Sequence, residues 1–568
     1  MKDNGSRFEK WETLGSLALV VVAAVVVFRG SLSVGFLTDD FVHLAELQSR
    51  GIQWFSHWLM GDSYYRPIAT ASLYLDLALF GPNPSGFHAT NLLLHLLTAV
   101  IVFFSLRALA TPNHVFSSQV VVLTFTGLFT LHPMHAVNVC WIAGRTDLLA
   151  GAWTAAMVLA FIAGRNAATR RFLLFAACFN GLALASKEIA VGAFLVPLSL
   201  KYLWLREEHA SRYLSLRNAI RSTMPIWIVT VAYALFRTAV IGGFPLAVRI
   251  PDVPITDVML MIPKAIFLAV VPSDLLSLVG MWQRAPLIFG LIFAGLFIIV
   301  VALLMWVRRL RSSLLWESLI VACIVYALMC VPLAISGIVS QRLLYVPYMA
   351  GLVVVAGAFA SRQRGGRPAM PRYSGILMLA LAMFLSHLSF RNVQLWVDVS
   401  QREQMAVREI VSQTDAPLEP IIIVSYPHRV LQTSMFWSLD HRLHHAFFHS
   451  FGRMENVWVG FGIVGSDLDS IGSSVSISPA DLQDASFEIR STSPEEYLMI
   501  DHSQVPPEFI NIIERPGYVG ENKLARSECM ELSVISRPSR YVAAVKDTAV
   551  WNRGTVFIWS HGRFERVR

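Results

Sequence analysis

Apolar runs of membrane length alternate with short polar loops through the first two thirds of the chain. They recur from Leu14 to Leu388, and many reach about 18 residues or more, the length a helix needs to cross a bilayer. The pattern places spans near 13–33, 88–108, 115–131, 137–163, 172–187, 189–205, 224–241, 286–307, 315–335, 342–360 and 373–390, about eleven in all. Beyond about Arg391 the pattern changes to polar sequence with short β-like runs at 421–425, 474–478, 541–545 and 555–559, separated by turn-rich stretches. The predicted fold is an all-α polytopic membrane bundle followed by a soluble α+β domain. Its parts are a cytoplasmic N-terminus (1–12), a transmembrane domain (13–395, first outer loop 34–87) and an extracytoplasmic C-terminal domain (396–568).

Composition agrees with this reading. Over 568 residues, 55% are hydrophobic and only 15% charged, against about 25% charged in ordinary soluble chains; mean hydropathy is +0.55. The net charge of +8 does not point to nucleic acid, because the basic residues sit in loops between apolar runs, where they set membrane orientation. The five cysteines, Cys140, Cys178, Cys323, Cys330 and Cys529, form neither a CxxC pair nor a zinc spacing. The first run, Leu14–Phe28, follows Lys2, Arg7 and Lys10 but precedes no small-residue cleavage site, so it reads as a first span rather than a signal peptide.

Loop charges fix the orientation. With the N-terminus inside, the cytoplasmic loops carry Arg165, Arg170 and Arg171, then Lys201, Arg206, Arg212, Arg217 and Arg221, as the positive-inside rule requires. The phase holds through Arg308, Arg309 and Arg311 and through Arg362, Arg364, Arg367 and Arg372 only if 258–280 makes no single crossing. That stretch carries Pro263, Lys264, Pro272 and Asp274, which suits a re-entrant or surface-lying segment. The last span then exits outward. The protein is expected to be integral and multi-pass, in a bacterial inner membrane or its equivalent.

On that topology the polar residues gather on the outer face. Asp39 and Asp40 lie where the chain leaves the first span, and Tyr64, Tyr65 and Arg66 lie in the same loop. His132 and His135 sit at the outer end of the third span, with Arg145 and Asp147 about two turns into the fourth. Lys187 and Glu188 mark the turn between the fifth and sixth, and Gln341 and Arg342 open the tenth. An ionisable group inside a span costs about 2.5 kcal/mol or more and usually faces a bundle interior or wet cavity. Each cation alone could snorkel to headgroups, and an Asp could be a helix cap. Together, cations and carboxylates on one side suit a cavity for an anion such as phosphate, which guanidinium grips bidentately. His132 and His135 straddle Pro133, which favours a turn over a metal-ligating helix face, and Asn91 and His95 read as an interhelical hydrogen-bonding stripe. The histidines at 441, 444, 445 and 449 of the tail invite a metal reading or are incidental.

The motifs Phe36-Leu-Thr-Asp-Asp-Phe41, Tyr65-Arg-Pro67, Gly86-Phe-His-Ala-Thr-Asn-Leu-Leu-Leu-His-Leu-Leu97, Leu131-His-Pro-Met-His135, Trp141-Ile-Ala-Gly-Arg-Thr-Asp147, Ser186-Lys-Glu188 and Gln341-Arg-Leu-Leu-Tyr-Val-Pro347 follow one another in that order. This set resembles the membrane core of the GT-C glycosyltransferases, in the branch of the protein O-mannosyltransferases and the transmembrane-and-TPR O-mannosyltransferases. The resemblance spans roughly 14–396. It implies a polyprenyl- or dolichyl-phosphate sugar donor, a protein or glycan acceptor outside the cytoplasm, and a catalytic carboxylate at Asp39 or Asp40. Arg66, Arg145, Lys187 and Arg342 are then the expected donor-phosphate cations, supported by Tyr65, Asp147, Glu188, His132 and His135. No cofactor is required, and a divalent metal is admitted but not demanded. Two departures stand out: no TPR array follows the core, and Gln341 stands where the family often has Glu. A lipid-linked oligosaccharide ligase or polymerase is the rival enzyme reading. A transporter fits less well, because the sequence shows no internal repeats.

Overall fold

The computed structural model of the chain describes residues 2–37, 39–51, 65–109, 115–165, 170–208, 211–241, 255–270, 285–288, 290–291, 294, 313–335, 341–361 and 374–413, and, further on, 421–430, 433–434, 457–465, 475–481, 486–491, 497–500, 530–536, 540–545, 555–560 and 563–567. The helices are α1 (Lys2–Phe28), α2 (Asp39–Arg50), α3 (Pro67–Phe80), α4 (Pro84–Leu109), α5 (Val115–Thr130), α6 (Ala136–Cys140), α7 (Arg145–Ala163), α8 (Arg170–Ser186), α9 (Leu195–Glu208), α10 (Arg212–Ser222), α11 (Met224–Ile241), α12 (Ile255–Val270), α13 (Ser313–Ile335), α14 (Tyr345–Ser361) and α15 (Ser374–Ser412).

Five stretches are long and apolar enough to cross a membrane: Trp11–Ser33, Pro84–Leu109, Ile142–Ala163, Glu188–Arg206 and Trp316–Leu333. Two bent pairs raise the number to seven among the described residues. Large apolar side chains face outward from these helices, with Leu19 65% and Leu93 63% exposed. Such surface is stable where the surrounding solvent is lipid. The chain is therefore a multi-pass membrane protein, packed internally around Phe129, Met134, Leu148, Met329, Tyr345 and Val353.

The structure redraws the expected spans in places. Among its described residues the expected first outer loop carries the helix α2 and the apolar helix α3. The run expected to cross as 137–163 is broken: α5 and the segment Pro133–Cys140 form one pair bent by 41°, and the next span begins only at Ile142. Pro133 has no N–H to continue α5, and Trp141 is extended (φ −114°, ψ 122°) before a 3-10 turn at Ile142–Gly144. Arg145 is consequently the first residue of α7 rather than two turns inside it. The segment expected to make no single crossing is helical as far as Val270 (α12); the rest of it, and most of the expected 286–307 span, lie outside the described residues. The expected 373–390 span is the first half of the 39-residue α15.

By their internal contacts the residues form two compact units, 1–32, 52–272 and 293–393 in one and 33–51, 273–292 and 394–568 in the other. In the second unit the described residues after Gln413 are all strand apart from Val567. β1 (Ile421–Val430), β2 (Thr433–Ser434), β3 (Val457–Gly465), β4 (Val475–Asp481), β5 (Ser486–Ser491), β6 (Tyr497–Ile500), β7 (Met530–Ser536), β8 (Arg540–Val545), β9 (Thr555–Ser560) and β10 (Arg563–Arg566) make two sheets. One has the order β10-β9-β1-β3-β6 with β2 paired to β1; the other is β4-β5-β8-β7. β9, β1 and β3 run parallel, with Ile421 opposite both Thr555 and Val457. They read as apolar runs, and Ile423, Val556 and Phe557 are fully buried, as expected of strands covered on both faces.

Candidate functional site

The helix break before α7 is held by one asparagine and one arginine. Asn91 of α4 donates its amide to the carbonyls of Asn138, Val139 and Trp141 at 3.3, 3.4 and 2.9 Å, which the break leaves without helical partners. The Asn91 side-chain oxygen accepts from Arg145 Nε. The Arg145 guanidinium also donates to Ser72 Oγ at 2.8 Å, to Asp76 Oδ2 at 2.6 Å and to the Phe87 carbonyl at 2.7 Å. Thr90 donates to the other Asp76 oxygen at 2.8 Å. Arg145 is fully buried, and these four protein acceptors engage all three of its nitrogens. Expected as a ligand for the donor, Arg145 ties α3 and α4 to the start of α7 through these bonds. The close approach also needs Gly144, where a Cβ would stand 2.6 Å from the Asn138 carbonyl oxygen.

A second polar group collects the other expected cations. Lys187 is extended (φ −161°, ψ 137°) between α8 and the 3-10 turn Glu188–Gly192, and consecutive side chains of an extended segment point apart. Lys187 Nζ meets Asp147 Oδ2 of α7 at 2.6 Å, while Glu188 accepts two parallel bonds from Arg66, one of them from Nε at 2.9 Å. Arg66 is the residue before α3, whose first turn starts with Pro67, a position where the missing N–H costs nothing. Lys187 also lies within electrostatic reach of Arg66 and Arg342. Arg342, on the 3-10 turn Gln341–Leu344, sets its guanidinium over the Trp141 indole at 4.4 Å, and its carbonyl accepts from Asn138 at 3.0 Å. Tyr65 packs edge-on against Phe236 of α11 at 5.5 Å.

Two members of this group were not anticipated from sequence. Tyr233 of α11 lies within electrostatic reach of Glu188, Arg66, Tyr65 and Arg237, and Arg237, one turn further along, is 2% exposed. The available signal was an arginine inside the apolar run 224–241, costly unless it faces a polar interior. Among the described residues the cations Arg66, Lys187, Arg237 and Arg342 thus gather with the carboxylates Asp147 and Glu188 within an apolar bundle.

The two histidines expected at the outer face have other neighbours. His135 is enclosed by the rings of Phe129, Tyr345, Tyr348 and His95, with centroids 4.9, 4.6, 6.0 and 5.4 Å away. His132 Nδ1 accepts from the Met134 N–H at 3.3 Å and its ring lies 4.8 Å from Tyr348. His95 contacts the Tyr345 hydroxyl at 2.9 Å and the Thr130 carbonyl at 3.0 Å, so Asn91 and His95 do form the interhelical stripe. Among the described residues no group of three histidine, cysteine or acidic side chains is arranged to hold a metal ion. The tail histidines at 441–449 and Tyr64 lie outside the described residues.

The acidic dipeptide opens α2 in the second unit. Asp40 is 2% exposed; its Oδ2 accepts from the Leu37 N–H at 3.1 Å, and its own N–H donates to the Leu37 carbonyl at 2.9 Å. The side chain of Asp39 is outside the described set. The Gly35 N–H donates to Ser400 Oγ of α15 at 2.7 Å, and Glu403, one turn along α15, is buried beside Asp40.

No family model matches the chain. The mouse protein O-mannosyl-transferase TMTC1 is 35% identical over 86 residues, 15% of this chain and 9% of that protein. The Drosophila melanogaster protein O-mannosyl-transferase Tmtc1 is 28% identical over 199 residues, 32% of this chain and 22% of that protein. The chain thus spans less than a quarter of the length of these relatives. Among solved structures, ArnT from Cupriavidus metallidurans bound to undecaprenyl phosphate is 14% identical with a TM-score of 0.41, covering 79% of this chain and 93% of that one. The archaeal oligosaccharyltransferase AglB from Archaeoglobus fulgidus, in complex with an inhibitory peptide and a dolichol-phosphate, is 12% identical with a TM-score of 0.39, covering 79% of this chain and 65% of that one.

Proposed function

We propose that the chain is a membrane glycosyltransferase that moves a hexose, mannose or a similar sugar, from a polyprenyl-phosphate carrier to a hydroxyl of a protein or glycan on the non-cytoplasmic face. The observation that carries this reading is the gathering of Arg66, Lys187, Arg237 and Arg342 inside an apolar bundle. As the sugar leaves, its carrier phosphate goes from one negative charge toward about two. Fixed guanidinium and ammonium groups in a low-dielectric site stabilise that change more than they stabilise the intact donor. The segment similarity to proteins named O-mannosyl-transferases supports the same chemistry.

In this mechanism Asp39 or Asp40 accepts the proton of the acceptor hydroxyl as that oxygen bonds to the anomeric carbon. The bond to the carrier phosphate breaks with its electron pair on the phosphate oxygen, so the sugar inverts in one step. The base must come within about 3 Å of the hydroxyl. Arg342 and Lys187 are the donor-facing cations of this reading, with Arg66 and Glu188 fixing the start of α3 beside them and Tyr65 at the rim. The eleven-span topology and a C-terminal α+β domain outside the cytoplasm, presenting or recognising the acceptor, complete the proposal.

The test is transfer of radiolabelled sugar from polyprenyl-phosphate donors in membranes carrying wild type, Asp39→Asn or Asp40→Asn protein at equal expression. Loss with one Asn change identifies the base. Full activity in both variants removes the mechanism, and a wild type inactive with every donor moves the weight to a ligase or a transporter.

A further inference from the structure

Between α9 and α11 the chain forms α10, a helix of 11 residues that is too short and too rich in arginine and serine to cross a bilayer. It is bent by 65° from α11, and side chains fix the bend. The Thr223 N–H and hydroxyl both donate to the Ala219 carbonyl, at 3.1 and 2.9 Å, and Trp227 Nε1 donates to the Ile220 carbonyl at 3.1 Å. Pro225 brings no N–H with which to continue α10. Asn180 of α8 donates to the Ile226 carbonyl at 3.0 Å and to the Thr230 hydroxyl at 2.8 Å, holding the start of α11. At the other end Ser211 Oγ accepts from the Leu214 N–H at 3.3 Å, which caps α10. Arg212 lies 3.7 Å from Glu317 of α13, which also accepts from Arg206 at 3.0 Å. α11 has 18 residues, about 27 Å of helix, close to the thickness of the hydrocarbon layer. Its start at Met224 therefore falls near the headgroups, and α10 is tethered there. Arg237 of the cation group lies about 20 Å further along α11, so α10 occupies the opposite end of that span, the end that the loop charges assign to the cytoplasm.

The rows of side chains around α10 differ in kind. Ser215 and Ala219 are buried. Leu216 and Ile220, each one position on, are exposed, and Tyr213 beside them is 72% exposed. Arg217 and Arg221, each one position further, are exposed as well. An exposed apolar row next to a basic row, on a helix held at headgroup depth, suits a helix lying in the plane of the interface. Two arginines one turn apart repel each other; a phosphodiester between them removes that repulsion and accepts from both guanidiniums. We propose that α10 is an in-plane helix that binds acidic phospholipid, with Tyr213, Leu216 and Ile220 sunk to the acyl boundary and Arg217 and Arg221 gripping headgroup phosphates. The occupant is the bilayer rather than a protein, because Thr223 joins α10 directly to a span and the basic row complements the negative surface of a leaflet that carries acidic lipid.

Hydrogen exchange of residues 211–222 tests this in the full chain, reconstituted in nanodiscs of phosphatidylcholine alone or of an equimolar mixture with phosphatidylglycerol. The acidic lipid is expected to slow exchange of α10 by roughly fivefold for each arginine engaged, and the effect shrinks at high salt as the charges are screened. Arg217→Gln combined with Arg221→Gln abolishes the lipid dependence, whereas Arg217→Lys combined with Arg221→Lys keeps most of it. Leu216→Gln combined with Ile220→Gln quickens exchange in both lipids. All four side chains are exposed, so the fold is expected to survive, and unchanged exchange in α8 and α11 verifies it. Exchange that ignores the acidic lipid, or that is slowed equally without the two arginines, overturns the proposal; so does a rate that the loss of Leu216 and Ile220 leaves unchanged.

Discussion

Arg145→Ala tests whether the bundle's most enclosed cation is a brace or a ligand. The change removes four hydrogen bonds and leaves Asp76, whose side chain is 4% exposed, with only the Thr90 hydroxyl described at its carboxylate. Removing one partner of a buried pair costs about 3–5 kcal/mol, so the folding equilibrium falls by roughly two to nearly four powers of ten. Arg145→Lys keeps the charge, but an ammonium lacks the planar fork that reaches Asn91, Ser72, Asp76 and the Phe87 carbonyl together. It is expected to cost about 1–3 kcal/mol for each acceptor left unsatisfied. Arg145→Met combined with Asp76→Asn removes both charges and is expected to be less destabilised than the sum of its single changes, because the orphaned carboxylate is gone. Unfolding in mixed detergent micelles, followed by tryptophan fluorescence, measures each step. A variant Arg145→Ala that unfolds like wild type but binds polyprenyl phosphate at least tenfold more weakly would refute the brace and restore Arg145 to the donor site.

Three further outcomes follow from the same geometry. Lys187→Met leaves Asp147 buried without its ammonium and removes one cation from the site; binding of radiolabelled polyprenyl phosphate in nanodiscs is expected to fall roughly tenfold or more, in line with about 1.5–3 kcal/mol for a hydrogen bond to a charged group, and unchanged affinity would count against the cation cluster. Gly144→Ala forces the Asn138 carbonyl away and is expected to destabilise the protein by about 1–3 kcal/mol in the same unfolding assay. The raised Glu403 carboxyl adds stability that is complete below the usual glutamate value near 4.3 and is lost as pH rises through its folded-state value; hydrogen exchange of residues 33–37 is expected to quicken with pH, beyond its intrinsic dependence, in wild type but not in Glu403→Gln.

Hydrophobic run length by itself determined that this chain lives in a membrane and that its tail differs from its core. A run that must shed water over a bilayer's thickness is legible without knowing its neighbours. Sequence also marked Arg66, Asp147, Lys187, Glu188 and Arg342 as chemically expensive residues, since an ionisable group near an apolar run must be compensated wherever it sits. Which group compensates which was decided only by the tertiary structure. Arg145 and Asp147 are two positions apart, yet one braces α3 and α4 while the other receives Lys187. The partners that make the difference, Asp76 and Asn91, lie 69 and 54 positions away in the chain. The interruption at Pro133–Trp141 likewise depends on an asparagine from another helix to receive the freed carbonyls. Arg237 and Glu403 gained their meaning the same way, because electrostatic environment is set by folded distance and by exclusion of water, neither of which is written in the order of residues.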